Sequence, residues 1–314
     1  VVEEVETKIT EIQEEFTKKV ADPIIDTAKE IAPTKLVYES SEKEFDIRDV
    51  VVNITCLEKS ATYTRLSTGS GVIISSSGLI ITNAHVTYPF LKSPQFDSNT
   101  YSCSVRRENI PYFGYNAELV YYPIDWLREN KEIIKNPAPV GTGENDYAFL
   151  QITSPIGPTP KVNSFTFAST DIEISDLKEN MNIIVAGYPS INSGVFEVDT
   201  KPGLKIAETK IADFFTFNTR SFDVLQTGVN PVAHRGSSGG GIFNGEDLYG
   251  IVVTTNTNSE GSYINALTLP YIKKDFQSDT GKTLNTLINS SFDSLKSEFN
   301  SKYKDKIKQI ISEN

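Results

Sequence analysis

An all-β core with an amphipathic helix at each end is the fold class that this sequence predicts. Three observations predict it. Short β-branched runs recur from about residue 46 to residue 275; Gly, Ser, Asn and Pro separate them at regular intervals; and both ends of the chain show three- and four-residue apolar spacing instead. Many short strands punctuated by turn residues read as a sandwich or a barrel. Helical spacing marks an apolar stripe on one face of a helix.

Taken in order, Val2, Val5, Ile9, Ile12, Phe16 and Val20 form the first stripe, with Glu and Lys between them. Asp22-Pro23 is an N-cap followed by Pro at the first helical position, opening a second short helix that Pro33 closes. The seam is under three heptads, so a helix packed on the body is expected ahead of a coiled-coil stalk. From Asp46 the strand series begins: DVVVNITCLE, GSGVIISSSGLIITNAHV, TYSCSVRRE, AELVYYP and DYAFLQIT. The segment PIDWLRENKEIIKNPAPVGTGEN interrupts it as an inserted helix and loop. TSPIGPTPKVNS, rich in Pro and Ser, divides it from a second series: NIIVAGYPS, LKIAETKIADFF, FDVLQTGV, GIFNGEDLYGIVVTTN and SYINALTL. Leu284, Leu287, Ile288, Phe292, Leu295, Phe299, Tyr303, Ile307 and Ile310 then predict one long amphipathic helix that packs its stripe on the body. The expected organisation is a helical extension over 1–45 and a first β unit over 46–156, with its insert at about 123–143. A second β unit over 157–280 and a C-terminal helix over 281–314 complete it.

Composition narrows the function. The 314 residues are 38% hydrophobic, enough for a sizeable core or two. Of the net charge of -11, residues 1–50 carry -7, and no basic patch occurs, so a nucleic-acid partner is not expected. Two His and two Cys without ligand spacing give no metal site, and nothing calls for a cofactor. No apolar run reaches 18 residues. The sequence starts at Val1 inside a helical pattern, so a leader or membrane anchor upstream is expected, and membrane association only through it.

The chemistry concentrates in HRGSSGGGIFN, residues 234–244. Serine-based hydrolysis needs an exposed hydroxyl, a base for its proton, and donors aimed at a developing oxyanion. Ser238 lies in Gly236-Ser237-Ser238-Gly239-Gly240, where Gly236 lets its own N–H and that of Ser238 share one concavity. Of the two His, His85 follows an apolar strand in LIITNAHVT, whereas His234 sits four residues from Ser238 on the same loop; His85 is the expected base. Asp146, opening DYAFLQI, is the expected orienting carboxylate, with Asp125 in PIDWL as a rival.

These residues carry a resemblance. TGSGVIISSSGLIITNAHV, NDYAFLQI, IIVAGYP and GSSGGGIFNGEDLYGIV resemble the chymotrypsin-like serine peptidases over about residues 47–275, and within them the bacterial HtrA-type branch. The His…Asp…Ser order is that of this family. The resemblance implies two six-stranded antiparallel Greek-key barrels with the active site between them, His85 and Asp146 from the first and Ser238 from the second. It implies a serine endopeptidase acting on polypeptides, with Gly236 and Ser238 N–H groups as oxyanion hole. Val253, Thr254 and Thr255 would pair with the substrate backbone. Val232 and Ala233 would stand near the base of the primary specificity pocket, so small or aliphatic residues are expected there; His234 and Arg235 leave an acidic preference open.

Departures matter too. Gly241 stands where most relatives have Pro, and Ser237 where trypsin has the Asp that binds a newly formed N-terminus, so activation by that route is not expected. HtrA proteins often continue into a PDZ domain; this sequence continues into a helix, and its terminal helices are candidates for self-association. Cys56 and Cys103 are either a disulfide, indicating an oxidising compartment, or two buried thiols. An extracytoplasmic role in processing or quality control is expected. The alternative is a catalytically silent binding module on the same fold.

Overall fold

The computed structural model describes residues 45–59, 61–96, 101–108, 114–132, 143–190, 203–217 and 222–313. The predicted N-terminal helices and part of the insert lie outside these residues. Twelve strands close into two antiparallel barrels. The first runs β1 (Val51–Lys59), β2 (Thr64–Ile73), β3 (Leu79–Thr82), β6 (Ala148–Pro155), β5 (Tyr115–Tyr121) and β4 (Tyr101–Arg107) around its wall. The second runs β10 (Gly241–Asn244), β11 (Asp247–Thr257), β12 (Ser262–Thr268), β9 (Val224–Thr227), β8 (Lys205–Phe215) and β7 (Asn182–Gly187). This is the chymotrypsin-like architecture that the sequence led us to expect.

The sequence shows why the barrels sit together. Successive side chains on a strand point to opposite faces. Ile73, Ile80 and Leu150 enter the first barrel's own core with Val52 and Ile54, while their neighbours Val72, Ile81 and Phe149 pack with Val185, Phe243 and Ile251 of the second barrel. Strands apolar on both faces read as continuous hydrophobic runs, which is what VII, LII and AFL are. Burial of these side chains is worth about 25 cal/mol per Å² of apolar surface, so the interface between the barrels is itself a core.

Short helices fill the connections. They are α1 (Ile47–Val50), α2 (Ala84–Thr87), whose second residue is His85, and α3 (Ile124–Glu129) in the insert. Helix α4 (Leu269–Thr280) follows β12 directly: Thr268 caps its start, Pro270 lies in its first turn, and Gly281 at φ 72° ends it. The single long C-terminal helix expected over 281–314 is a correction. The chain instead forms α5 (Leu284–Ile288), breaks, and restarts as α6 (Phe292–Phe299), which passes through a π-helical turn at Asn300–Lys304 into α7 (Asp305–Ser312). The break falls where the Ser291 hydroxyl accepts from the Ser294 N–H and caps a new helix. The stripe is buried as expected: Leu284, Leu287 and Leu295 join the interface cluster, and Phe299, Ile307 and Ile310 join the first barrel's core.

Cys56 and Cys103 are joined in a disulfide and face each other across β1 and β4. Strand β4 pairs with β1 over its whole length but with β5 at the single described pair Val105–Tyr115. The disulfide therefore staples a strand that, among the described residues, has a single pair with its second neighbour. Closing a loop between residues 47 apart removes chain entropy from the unfolded state worth about 4 kcal/mol. Reduction, or Cys103→Ala, should lower the urea unfolding midpoint by a corresponding amount, measured by tryptophan fluorescence with and without dithiothreitol.

Candidate active site

His85 and Asp146 meet in the first barrel's outer layer, 6% and 0% exposed. The apolar strand β3 ends at Thr82, and the chain turns at Asn83 into α2. That turn presents the His85 amide and ring to one carboxylate: the His85 N–H donates to Asp146 Oδ1 at 3.0 Å, and Nδ1 lies 2.7 Å from Oδ2. A carboxylate only accepts, so the Nδ1 proton is fixed between the pair and Nε2 keeps its lone pair. The Asn83 amide donates to the Asp146 carbonyl at 2.8 Å, tying the two turns together.

Both residues flanking Asp146 are held by helix α4. Asn145 is left-handed at φ 57°, and its N–H donates to the Tyr271 hydroxyl at 3.1 Å. Its side-chain nitrogen is satisfied facing the same hydroxyl at 2.9 Å and Asp275 at 3.1 Å. On the other side the Tyr147 hydroxyl donates to Asp275 Oδ2 at 2.8 Å. Burial raises the Asp275 carboxyl pKa; the Tyr147 hydrogen bond offsets part of this, and the Asp279 and Asp125 carboxylates add to it.

The loop around Ser238 can be accounted for peptide by peptide. Carbonyl and N–H of a trans peptide point in opposite directions, so pinning one aims the other. The Arg235 carbonyl accepts from the Ser190 N–H at 2.7 Å, Gly236 from the Ser70 hydroxyl at 2.8 Å, Ser237 from the Gly240 N–H at 2.8 Å, and Ser238 from the Ser70 N–H at 2.8 Å. The Ser237 N–H donates to His234 and the Gly239 N–H to Val252. Among the described residues the Arg235, Gly236 and Ser238 N–H groups in this stretch meet no acceptor; Arg235 is exposed, whereas Gly236 and Ser238 are half-buried on either side of Ser237. Gly236 sits at φ 91°, and a Cβ there would press on the Tyr188 carbonyl at 2.6 Å and the Ser190 nitrogen at 2.8 Å. The Ser237 side chain is turned away, donating to the Val232 carbonyl. Two such vacant amides on either side of Ser237 have the chemistry to receive one anion.

The Ser238 hydroxyl donates to the Val253 carbonyl at 3.4 Å and not to His85. Catalytic hydrogen bonds are often loose without substrate. Val253 is available because the register of β11 against β12 shifts between Val252 and Thr254, a bulge that takes Val253 out of the ladder. Beyond Ile251 the opposite edge of β11 has left β10 behind, so among the described residues 253–257 offer it to no other strand. Val253 and Thr254 line a cavity of about 340 Å³ with Phe215, Phe217, Val224 and Tyr263. Thr255 is half-buried outside it, Val232 and Ala233 are buried, and His234 and Arg235 are exposed. A cavity of about 470 Å³ between β4, β5 and the C-terminal helices contains none of the predicted site residues.

The rival residues fall elsewhere. Asp125 is exposed and paired with Arg128 at 2.7 Å, and His234 turns outward. Sequence reasoning missed Ser70, Ser190, Tyr271 and Asp275. For Ser70 a signal existed, a serine between two glycines in the strand before His85; hydroxyls reached across a hundred residues leave none.

A family model described as a trypsin-like peptidase domain matches residues 69–251, more than half of the chain and inclusive of His85, Asp146 and Ser238. No curated protein matches the sequence. Because the Gly236 conformation is one that a side chain resists, Gly236→Ala should destabilise the fold by about 1–2 kcal/mol through backbone strain alone, read from denaturant unfolding. It should also turn one of the two vacant amides, which a crystal structure of the variant would register.

Proposed function

This chain belongs to the trypsin-like peptidase family, and on that premise we propose that it is an active serine endopeptidase using Ser238, His85 and Asp146. One observation carries the reading: the Arg235–Gly236 and Ser237–Ser238 peptides are pinned at their carbonyls by Ser190 and Gly240, and the N–H groups they carry, those of Gly236 and Ser238, are left without an acceptor. Ser238 Oγ attacks the scissile carbonyl while His85 Nε2 takes its proton. Asp146 holds the proton on Nδ1 and stabilises the imidazolium that forms. The carbonyl oxygen, now an anion, is received by the two vacant amides, which need no rearrangement as charge develops. His85 then gives its proton to the leaving amine. Water repeats the sequence on the acyl-enzyme, with His85 again as base.

The open edge of β11 from Val253 suits an extended peptide, added as a strand. Buried Val232 and Ala233 leave no charge at the base of the primary pocket, which supports small or aliphatic side chains at the cleavage site; exposed His234 and Arg235 would meet an acidic neighbour at its rim. The TGSGV and TNAHV motifs support placement near the HtrA-type branch. A disulfide in the first barrel supports an extracytoplasmic setting, consistent with protein processing or quality control.

Labelling with a fluorophosphonate probe tests the reading. The wild type should form a single adduct on Ser238, located by mass, and Ser238→Ala and His85→Ala should form none. Turnover of a fluorescent casein should fall on the order of 10⁶-fold in Ser238→Ala and on the order of 10⁴-fold in Asp146→Asn, which unsettles the His85 tautomer. A folded wild type that neither labels nor cleaves would return the chain to the silent binding module.

A further inference from the structure

Ser70 belongs to the first barrel, yet it supplies two of the four anchors of the Ser238 loop. It is fully buried near the end of β2. The register of β2 with β3 covers only Val72 and Ile73, so among the described residues no strand backbone of its own barrel pairs with that edge at Ser70, where only the Thr82 hydroxyl reaches the carbonyl. The edge is taken by the second barrel: the Ser70 N–H donates to the Ser238 carbonyl at 2.8 Å. Its hydroxyl completes a relay, accepting from the Tyr188 N–H at 2.8 Å and donating to the Gly236 carbonyl at 2.8 Å. A hydroxyl has one proton to give, and here a backbone N–H fills a lone pair and directs that proton to one acceptor. Gly239 packs so closely that a Cβ would overlap the Ser70 carbonyl and the Thr82 hydroxyl.

We infer that Ser70 is a positioning residue for oxyanion binding: its hydroxyl fixes the Gly236–Ser237 peptide on one side of the Gly236 Cα, while Ser190 holds the Arg235 carbonyl on the other, and the two together keep Gly236 at φ 91° with its N–H turned into the site. The inference rests on the peptidase reading of that site. It makes the competent conformation of the loop a property of the contact between the barrels, needing no inserted N-terminus. Ser237 carries no charge that an ammonium group would seek, and its hydroxyl already has the Val232 carbonyl.

Without the Ser70 hydroxyl, the Gly236 carbonyl and the Tyr188 N–H both lose their partners inside the interface. The Gly236–Ser237 peptide is then free to turn about Gly236, which has no side chain to oppose it, and the Arg235–Gly236 peptide is left to its Ser190 anchor alone. The expected defect lies in stabilising charge, with binding of neutral ligand little changed.

The test is fluorophosphonate inactivation. Ser238 Oγ forms a bond to phosphorus, fluoride leaves, the proton passes to His85, and the phosphoryl oxygen needs the two amides. In Ser70→Ala the maximal inactivation rate should fall about 10- to 100-fold, approaching the 10²–10³-fold typical for an oxyanion-hole donor, while the half-saturating probe concentration stays within about twofold. Thr82→Val is the control, since Thr82 donates to the Ser70 carbonyl at 2.6 Å and removes a buried bond from the same residue without touching Gly236. It should inactivate like wild type. Ser70→Cys, which keeps a weak donor, should recover part of the rate and carries the test if the alanine variant does not fold. An unchanged rate in Ser70→Ala, or an equal loss in Thr82→Val, overturns the inference. If the wild type itself fails to react, the peptidase reading fails separately. A crystal structure of Ser70→Ala then decides the brace alone: a turned Arg235–Gly236 peptide upholds it, and an unmoved one overturns it.

Discussion

Much of this molecule depends on one contact, where the edge of β2 passes out of the first barrel and meets the Ser238 loop of the second. A barrel closes its hydrogen bonds on itself, so a free edge segment at Ser70 is a place where one barrel can be read by the other. Three bonds cross there, two to the loop and one to Tyr188 at the end of β7. Around them Val72, Ile81 and Phe149 are packed against the second barrel, so little water is available to substitute for a missing partner. In that setting a backbone group is either bonded to protein or costly. The loop conformation follows from this restriction more than from any preference of its residues, four of which are glycine.

The acid–base half of the site is set from another direction. Asp146 is oriented by the His85 amide and by Asn83, and its neighbours on either side are gripped by α4 through Tyr271 and Asp275. Tyr271 in turn packs edge-on against Phe217 at 5.4 Å, and Phe217 lines the cavity beside Val253. The helix that closes the second barrel thus reaches the carboxylate of the first, while a strand of the first reaches the nucleophile loop of the second. Each half of the candidate site draws part of its support from the barrel that does not contain it. Such reciprocal support keeps donor and acceptor positions tight without strain inside either barrel.

How much of this the sequence shows can be traced to particular residues. Twelve strands were legible because alternation and turn residues are local signals, and the His85, Asp146 and Ser238 segments stand beside strand ends where short motifs betray them. The doubly apolar runs at 72–73, 80–81 and 149–150 are buried on two sides, which strand alternation alone did not lead us to expect. What was illegible was long-range: that Ser70 would spend its hydroxyl on Gly236, 166 residues away, or that Asp275 would serve Tyr147. No spacing rule connects such pairs, because only closure of the barrels brings them together. The C-terminal stripe was read correctly as buried and incorrectly as one helix, since a hydrophobic period carries no information about a cap at Ser291. The family match has a similar horizon, ending at residue 251 before Tyr271 and Asp275.

The late position of α4 has a consequence for biosynthesis. Domains fold largely in the order in which they leave the ribosome. A nascent chain that has emerged only as far as β12 already contains His85, Asp146 and Ser238, but Asn145 and Tyr147 still lack the partners that steady the carboxylate between them. On the proposed function, competence arrives only after α4 has followed β12 out. A product stalled before α4 would hold His85, Asp146 and Ser238 without that support, which would limit the harm that the proposed hydrolase, unfinished, could do to the cell making it.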